Sequence, residues 1–428
     1  MTRNLLMSFL GTGKYIPCYY EYNDKRSKLT RYIQTAIYEH ISSYVDNLEV
    51  IIFCTKEAEE ANWSGLQETF NEIAPQAKVK NVPIPSEQDE DATWTLFEKI
   101  MDEIQYGDRI FFDVTHSFRT NPIVALIVLN YAKVVKGAKF GGLMYGWIEK
   151  LGRIPEIEKI NVEERIAPIV DLTGMTNLLT WTNGADQFIR TGNASVLLEI
   201  VNQELKHKKD DKKSELINVK YLINQLNTVG LCFETARANS LQTEINKWKE
   251  KTEEIKHSEN QHFRQLIPLI DTIEKKVENF SDDEIMNYYY MSKWCYDHGL
   301  IQQGLTILVE SVITVLCKLV KVDEFNKDMR DVVSSSLNVY LDKKPEEEWQ
   351  GDIEFMKKVV KKIKPYREML KPFQKLREYR NNINHAEMNK ERQFQAKSFQ
   401  GALKESLDNL RPFFEEMSKS LNSRTEVT

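Results

Sequence analysis

Near the C-terminal end of the 428-residue chain, the stretch LREYRNNINHAE sets Arg380 five positions before His385. Histidine moves a proton near neutral pH, and an arginine that stays charged stabilises the negative charge building on a phosphorane. No carboxylate cluster with metal-ligand spacing accompanies the pair, so metal-free transesterification by an RNA 2′-hydroxyl is the chemistry these residue types suit. Read as one helix, the segment is expected to bring guanidinium and imidazole onto nearby faces. A bare Arg-x4-His is a common accident of solvated helices. Asn381, Asn382 and Asn384 argue against accident, because three poor helix formers in four positions cost local stability.

Two further clusters offer groups that bind phosphate or ribose. In SFLGTGKYIP, Gly11, Thr12, Gly13 and Lys14 follow an apolar run, where backbone N–H groups can approach phosphate oxygens closely. The spacing is neither G-x-G-x-x-G, since position 16 is Ile, nor GK[ST], since Tyr15 follows Lys14; dinucleotide and P-loop readings are weak. In DVTHSFRTNP, Asp113, Thr115, His116, Ser117 and Arg119 crowd a short loop rich in donors, with Asp113 suited to a structural carboxylate. Between Lys357 and Arg380 ten basic residues face two acidic ones, a concentrated positive stripe in a chain of net charge −6. Tyr366, Phe373 and Tyr379 interleave with it; the charge suits RNA, whereas the aromatics are expected to point into a core.

The elements that must hold these groups fall into two textures. Up to about residue 175, short apolar runs alternate with helical stretches: Asn4–Leu10, Leu48–Thr55, Lys78–Pro85, Asp108–His116, Ala138–Ile148 and Ile166–Leu172 read as strands, with helices over Leu29–Tyr44, Thr93–Gln105 and Pro122–Val135. Continuous runs such as LEVIIFCT imply strands buried on both faces of a largely parallel, doubly wound α/β sheet, closed by the last strand. Beyond Gly174 the chain reads as all-α. Charge-dense segments at 207–215 and 247–260 bound a middle helical layer, and Leu305, Val309, Val312, Leu316 and Leu319 mark a core helix. The expected division is 1–175, 176–280 and 281–428.

Composition excludes several classes. Hydrophobic residues at 41%, charged residues at 29%, and 58 basic against 64 acidic side chains describe a globular chain and rule out a basic nucleic-acid coat. Five scattered cysteines, never in C-x-x-C spacing, exclude a zinc ribbon and are expected to be free, buried thiols. No apolar run reaches the roughly 20 residues of a membrane span and the start lacks a signal-peptide pattern, so a cytoplasmic protein without membrane contact is expected.

Taken together, SFLGTGKY, DVTHSFRTNP, PIVDLTG and RNNINH resemble, in this order, the CRISPR-associated ribonucleases that join an N-terminal Rossmann-like CARF sensor to a C-terminal helical HEPN domain. The resemblance spans nearly the whole chain, although the middle helical region carries no alignable motif. It implies an RNase that stays silent until a cyclic oligoadenylate, made during type III CRISPR interference, binds the sensor. It also implies a homodimer or higher even oligomer with a composite HEPN site.

The expected activity is metal-independent cleavage of single-stranded RNA to a 2′,3′-cyclic phosphate and a 5′-hydroxyl, needing an activator and no cofactor. Arg380, Asn381 and His385 are the expected catalytic residues. Gly11, Thr12, Gly13, Lys14, Thr115, His116, Ser117 and Arg119 are expected to contact the activator. A C2 dimer presents each loop twice to one cleft, so an even ring matches both protomers, cyclic tetra-adenylate first and the hexamer second. A cyclic-nucleotide-binding regulator without nuclease activity, or a sensor that also degrades its ligand, are the alternatives.

Overall fold

The computed structural model describes residues 2–116, 118–207, 213–257, 264–386, 388 and 394–425. The chain divides into two compact units, Met1–Asn177 and Leu178–Thr428.

The first unit is built on an eight-stranded sheet: β1 (Asn4–Leu10), β2 (Tyr19–Tyr22), β3 (Lys25–Arg26), β4 (Leu48–Cys54), β5 (Lys78–Pro83), β6 (Arg109–Asp113), β7 (Lys139–Gly146) and β8 (Ile166–Asp171). The strand order is β3-β2-β8-β7-β6-β1-β4-β5. Five pairings are parallel, and β7–β8 and β2–β3 are antiparallel. Alternation along β1 shows why its sequence is apolar throughout. Leu6 and Leu10 enter the core beneath helices Ile33–Ser42 and Ser64–Ile73, while Leu5, Met7 and Phe9 enter the core beneath Glu90–Glu103 and Asn121–Val135. Each such side chain taken fully out of water contributes about 1.5–3 kcal/mol.

Three expectations change. The last strand does not close the sheet: β8 lies inside it, antiparallel to β7, and β2 and β3 cover its other side. That hairpin turns on Asn23 and Asp24, both at positive φ, the I′ geometry that Asn and Asp tolerate. The first helix begins at Ile33 rather than Leu29, because Thr30 pairs with Cys18 and its hydroxyl bonds the Thr35 hydroxyl at 2.7 Å. The strand expected over Asp108–His116 ends at Asp113, where the carboxylate turns back to bind Thr115.

The second unit is helical and holds two apolar cores. One gathers Trp181, Phe188, Phe233, Trp248 and Trp294; the other gathers Leu305, Val312, Leu316, Phe373, Leu376 and Phe413. Helix Ile301–Val320 is long and apolar enough to cross a membrane, and 67% of its most apolar stretch is buried within the protein. Its Leu305, Val309, Val312, Leu316 and Leu319 are all buried, as their spacing predicts. The five cysteines are free and buried.

Candidate functional site

β1 and β6 are parallel neighbours, with Ser8 opposite Asp113. The strand after β1 in its parallel run, β4, lies on one side of it and β6 on the other, so the chain reverses its winding direction between them. A crevice at such a switch point, beyond the carboxyl ends of the strands, is where open α/β sheets bind ligands. The Gly11–Lys14 loop leaves β1 there and the Thr115–Arg119 loop leaves β6 there. Strand order alone therefore brings together two segments a hundred residues apart.

Asp113 is fully buried and organises the second loop. It accepts from the Ser8 hydroxyl at 2.6 Å, from the Thr115 amide at 3.0 Å and from the Thr115 hydroxyl at 2.5 Å. Thr115 Oγ1 in turn accepts from the Gly146 amide at 2.8 Å, tying the loop to β7. The Thr115 hydroxyl is thus committed to the protein. Burial pushes the Asp113 carboxyl above its ordinary range, opposed by the hydrogen bonds from Ser8 and Thr115.

His116 follows, its ring edge against Tyr15 at 4.7 Å between centroids. Its Nε2 is buried without a hydrogen-bond partner, which in a native structure asks for an explanation. Burial holds the imidazole pKa down while the charge of Asp113 opposes the shift. Tyr15 also stands against Tyr32, and its hydroxyl accepts from the Gly11 amide at 2.8 Å. A methyl added at Gly11 would lie 3.7 Å from His116 Cβ and 3.4 Å from the Tyr15 hydroxyl, so the loops pass closely at that glycine. Thr12, Gly13 and Arg119 are exposed, and Lys14 reaches an ion pair with Glu158. Ser117 lies outside the described residues.

One residue of this site was absent from the sequence reading. Asn62 Nδ2 donates to the carbonyls of Gly11 at 2.9 Å and Gly13 at 3.1 Å, clamping the first loop from outside. It sits in a π-helical turn, Glu59–Trp63, ahead of helix Ser64–Ile73. Such wide turns are uncommon and collect at functional sites. Nothing in KEAEEANWSG marks the turn, and an isolated Asn carries no signal by itself.

In the second unit, helix Pro372–Asn384 carries Arg380 and Asn381, and His385 caps its C-terminus. The two were expected on nearby faces of one helix; five steps on an ideal helix turn side chains about 140° apart. The helix ends at Asn384, so His385 lies at its cap rather than inside it. The His385 amide bonds the Asn381 and Asn382 carbonyls at 3.2 Å each, and Ala386 takes a positive φ that stops further winding.

Arg380 is half-buried, and its Nε has no partner among the described residues although it is shielded from water; His385 and Asn381 are exposed. The helix end also favours cations, because unpaired carbonyls collect there. Phe373 is buried, and Tyr379 stacks on Phe394 at 4.3 Å, so these aromatics serve packing. Among the described residues no three His, Cys, Asp or Glu side chains gather as ion ligands.

Two comparisons with known proteins bear on the second unit and on the chain as a whole. Residues 177–284 match the family model of the CRISPR-associated protein MJ1674, second domain. The CRISPR-associated protein MJ1674 of Methanocaldococcus jannaschii is 24% identical over 307 residues, 71% of this chain and 41% of that protein. The chain thus spans well under half the length of this relative.

Proposed function

We propose that this chain, a CRISPR-associated protein by its relatives and motifs, is a cyclic-oligoadenylate-activated endoribonuclease that cuts single-stranded RNA without a metal. In this reading the first unit is a CARF sensor and the second carries a HEPN nuclease site. His385 takes the proton from the attacking 2′-hydroxyl or returns one to the leaving 5′-oxygen. Arg380 stabilises the phosphorane between them, and Asn381 orients one of the two. Phosphorus exchanges its bond to the 5′-oxygen for one to the 2′-oxygen, which leaves a 2′,3′-cyclic phosphate and a 5′-hydroxyl.

The observation that carries the reading is the shielded Nε of Arg380, without a partner among the described residues, five positions before an exposed His385 at the end of the same helix. A guanidinium held in that condition has a hydrogen bond left to give, and a phosphate oxygen is the acceptor it fits best. Homodimerisation is supported by helix Asn121–Val135, whose Ile123, Ile127, Tyr131 and Val134 form an exposed, uncharged line. An apolar face of that size on a water-soluble surface suits a second copy of itself across a two-fold axis. A ring on such an axis is expected to be cyclic tetra-adenylate, with the hexamer second.

The test is cleavage of labelled RNA with a panel of cyclic oligoadenylates, with and without EDTA. An even ring should switch cleavage on and EDTA should change little. No cleavage with any ring, or a strict metal requirement, overturns the proposal. A second reading, that the sensor also opens its own ring, is favoured by His116, its pKa held down by burial and its Nε2 without a partner among the described residues, beside the activator loops. Mass analysis of the ring after long incubation, wild type against His116→Ala, separates it from pure binding.

A further inference from the structure

The ten basic residues between Lys357 and Arg380 are not equivalent once folded. Lys357 pairs with Glu346 at 3.0 Å, Lys375 with Glu405 at 2.7 Å and Arg377 with Asp342 at 3.3 Å. Lys371 pairs with Glu368, and Arg367 lies 3.6 Å from the same carboxylate with its guanidinium over the Tyr340 ring. Arg380 belongs to the candidate nuclease site. Lys358, Lys361, Lys362 and Lys364 are left, all exposed and none in an ion pair with a described residue. Three share one side of helix Ile353–Ile363, whose other side buries Met356, Val359 and Ile363, and Lys364 continues into the turn that follows. In a chain of net charge −6, four uncompensated cations within seven positions are a local positive surface.

We infer that this face is a docking track for the phosphodiester backbone of single-stranded RNA, distinct from the Arg380–His385 site that cuts it. The inference rests on the RNase reading and adds a second contact surface to it. The two lie on different helices: Ile353–Ile363 packs on Lys327–Leu341 and Ile301–Val320, whereas Pro372–Asn384 packs on Ser398–Thr425 and the same Ile301–Val320. Helices that flank a shared neighbour at 8–10 Å lie up to about 20 Å apart, a limit that a strand of several nucleotides can bridge. Lysine suits this task, because a compact ammonium on a flexible stem neutralises phosphate without reading sequence. No side chain of the track has an imidazole or hydroxyl for chemistry, so its part is to hold the strand.

Salt tests the inference directly, since each phosphate neutralised on a single strand adds about 0.7 to the slope of log Kd against log salt. Binding of labelled single-stranded RNA would be followed by anisotropy in a His385→Ala background, with activator present, so that the RNA stays intact. Joint Lys358→Gln, Lys361→Gln, Lys362→Gln and Lys364→Gln should lower the slope by about 3. Between 50 and 200 mM salt, the unmodified track should then lose about 50-fold more affinity than the variant. Joint Lys371→Gln and Lys375→Gln, which removes cations already paired, should change the slope far less.

With His385 intact, cleavage of a dinucleotide by the four-lysine variant should match wild type while cleavage of long RNA falls at high salt. An unchanged slope in that variant overturns the track. An equal loss on the dinucleotide also overturns it, because the lysines would then belong to the cutting site. Lysine-dependent RNA binding without any RNA cleavage by wild type would keep the track and remove the nuclease reading.

Discussion

The two candidate sites are built in opposite ways. At the strand ends, a fully buried carboxylate, a committed threonine hydroxyl and an asparagine clamp hold two loops by hydrogen bonds spanning up to 105 residues of chain. At the end of helix Pro372–Asn384, the chemistry sits on a half-buried arginine and an exposed histidine. The first arrangement is preorganised to receive a ligand, with the cost of ordering met on folding. The second leaves its imidazole open to water, where it acts weakly, while the Nε of its guanidinium is shielded.

The largest effects should come where the two sites differ in purpose. His385→Ala or Arg380→Ala is expected to cut the RNA cleavage rate by about 10²–10⁴-fold, with activator affinity from calorimetry unchanged. Wild-type cleavage by His385→Ala would end the contrast between a cutting and a sensing site.

Stability should divide the sites the other way. Asp113→Ala removes the acceptor for the Ser8 hydroxyl, the Thr115 amide and the Thr115 hydroxyl and leaves a cavity at a fully buried position, and is expected to cost about 2–4 kcal/mol in denaturant titrations. His385→Ala, at an exposed cap, should stay within about 0.5 kcal/mol. Equal costs would mean that the strand-end site is less integral to its core than its hydrogen bonds imply.

Within the sensor, Arg119→Ala and His116→Ala should raise the half-activating ring concentration without lowering the saturated rate. Asn62→Ala should do so by about 5- to 10-fold, the worth of roughly one net hydrogen bond to a loop that must then order on binding. A lower saturated rate with an unchanged midpoint would place Asn62 in transmission rather than in loop positioning.

The smallest effect is one of pH. His298, buried against Trp294 with Nδ1 donating to the Trp294 carbonyl at 2.8 Å, has its pKa pushed down, chiefly by burial. The unfolded chain therefore binds a proton first as pH falls. Stability is full above the ordinary imidazole value of about 6.5 and is lost as pH drops from there towards the folded-state value. Thermal melts of His298→Gln should show a flatter dependence across that window than wild type, and an identical dependence would remove His298 as the source.

Legibility in the sequence followed burial. β1 and β4 were readable because both faces are covered, so every position is apolar, and helix Ile301–Val320 was readable from its spacing alone. β2 and β3 escaped notice because four and two residues on a partly exposed sheet margin carry no pattern, although Asn23-Asp24 held a turn signal. The asparagines before His385 fall in the last turn of helix Pro372–Asn384. They mark the end of a helix, where their weak helix propensity costs least.

The sequence by itself determined the types of element and the chemical groups, because hydrophobic periodicity and side-chain identity are local properties. Tertiary structure decided adjacency. It set β1 beside β6, aimed Asn62 at two glycine carbonyls, and paired away five cations of a stripe while leaving four lysines without an ion pair among the described residues. Each of those outcomes depends on which distant segments pack together, a sum of many small burial and hydrogen-bond free energies over the whole chain that no short window contains.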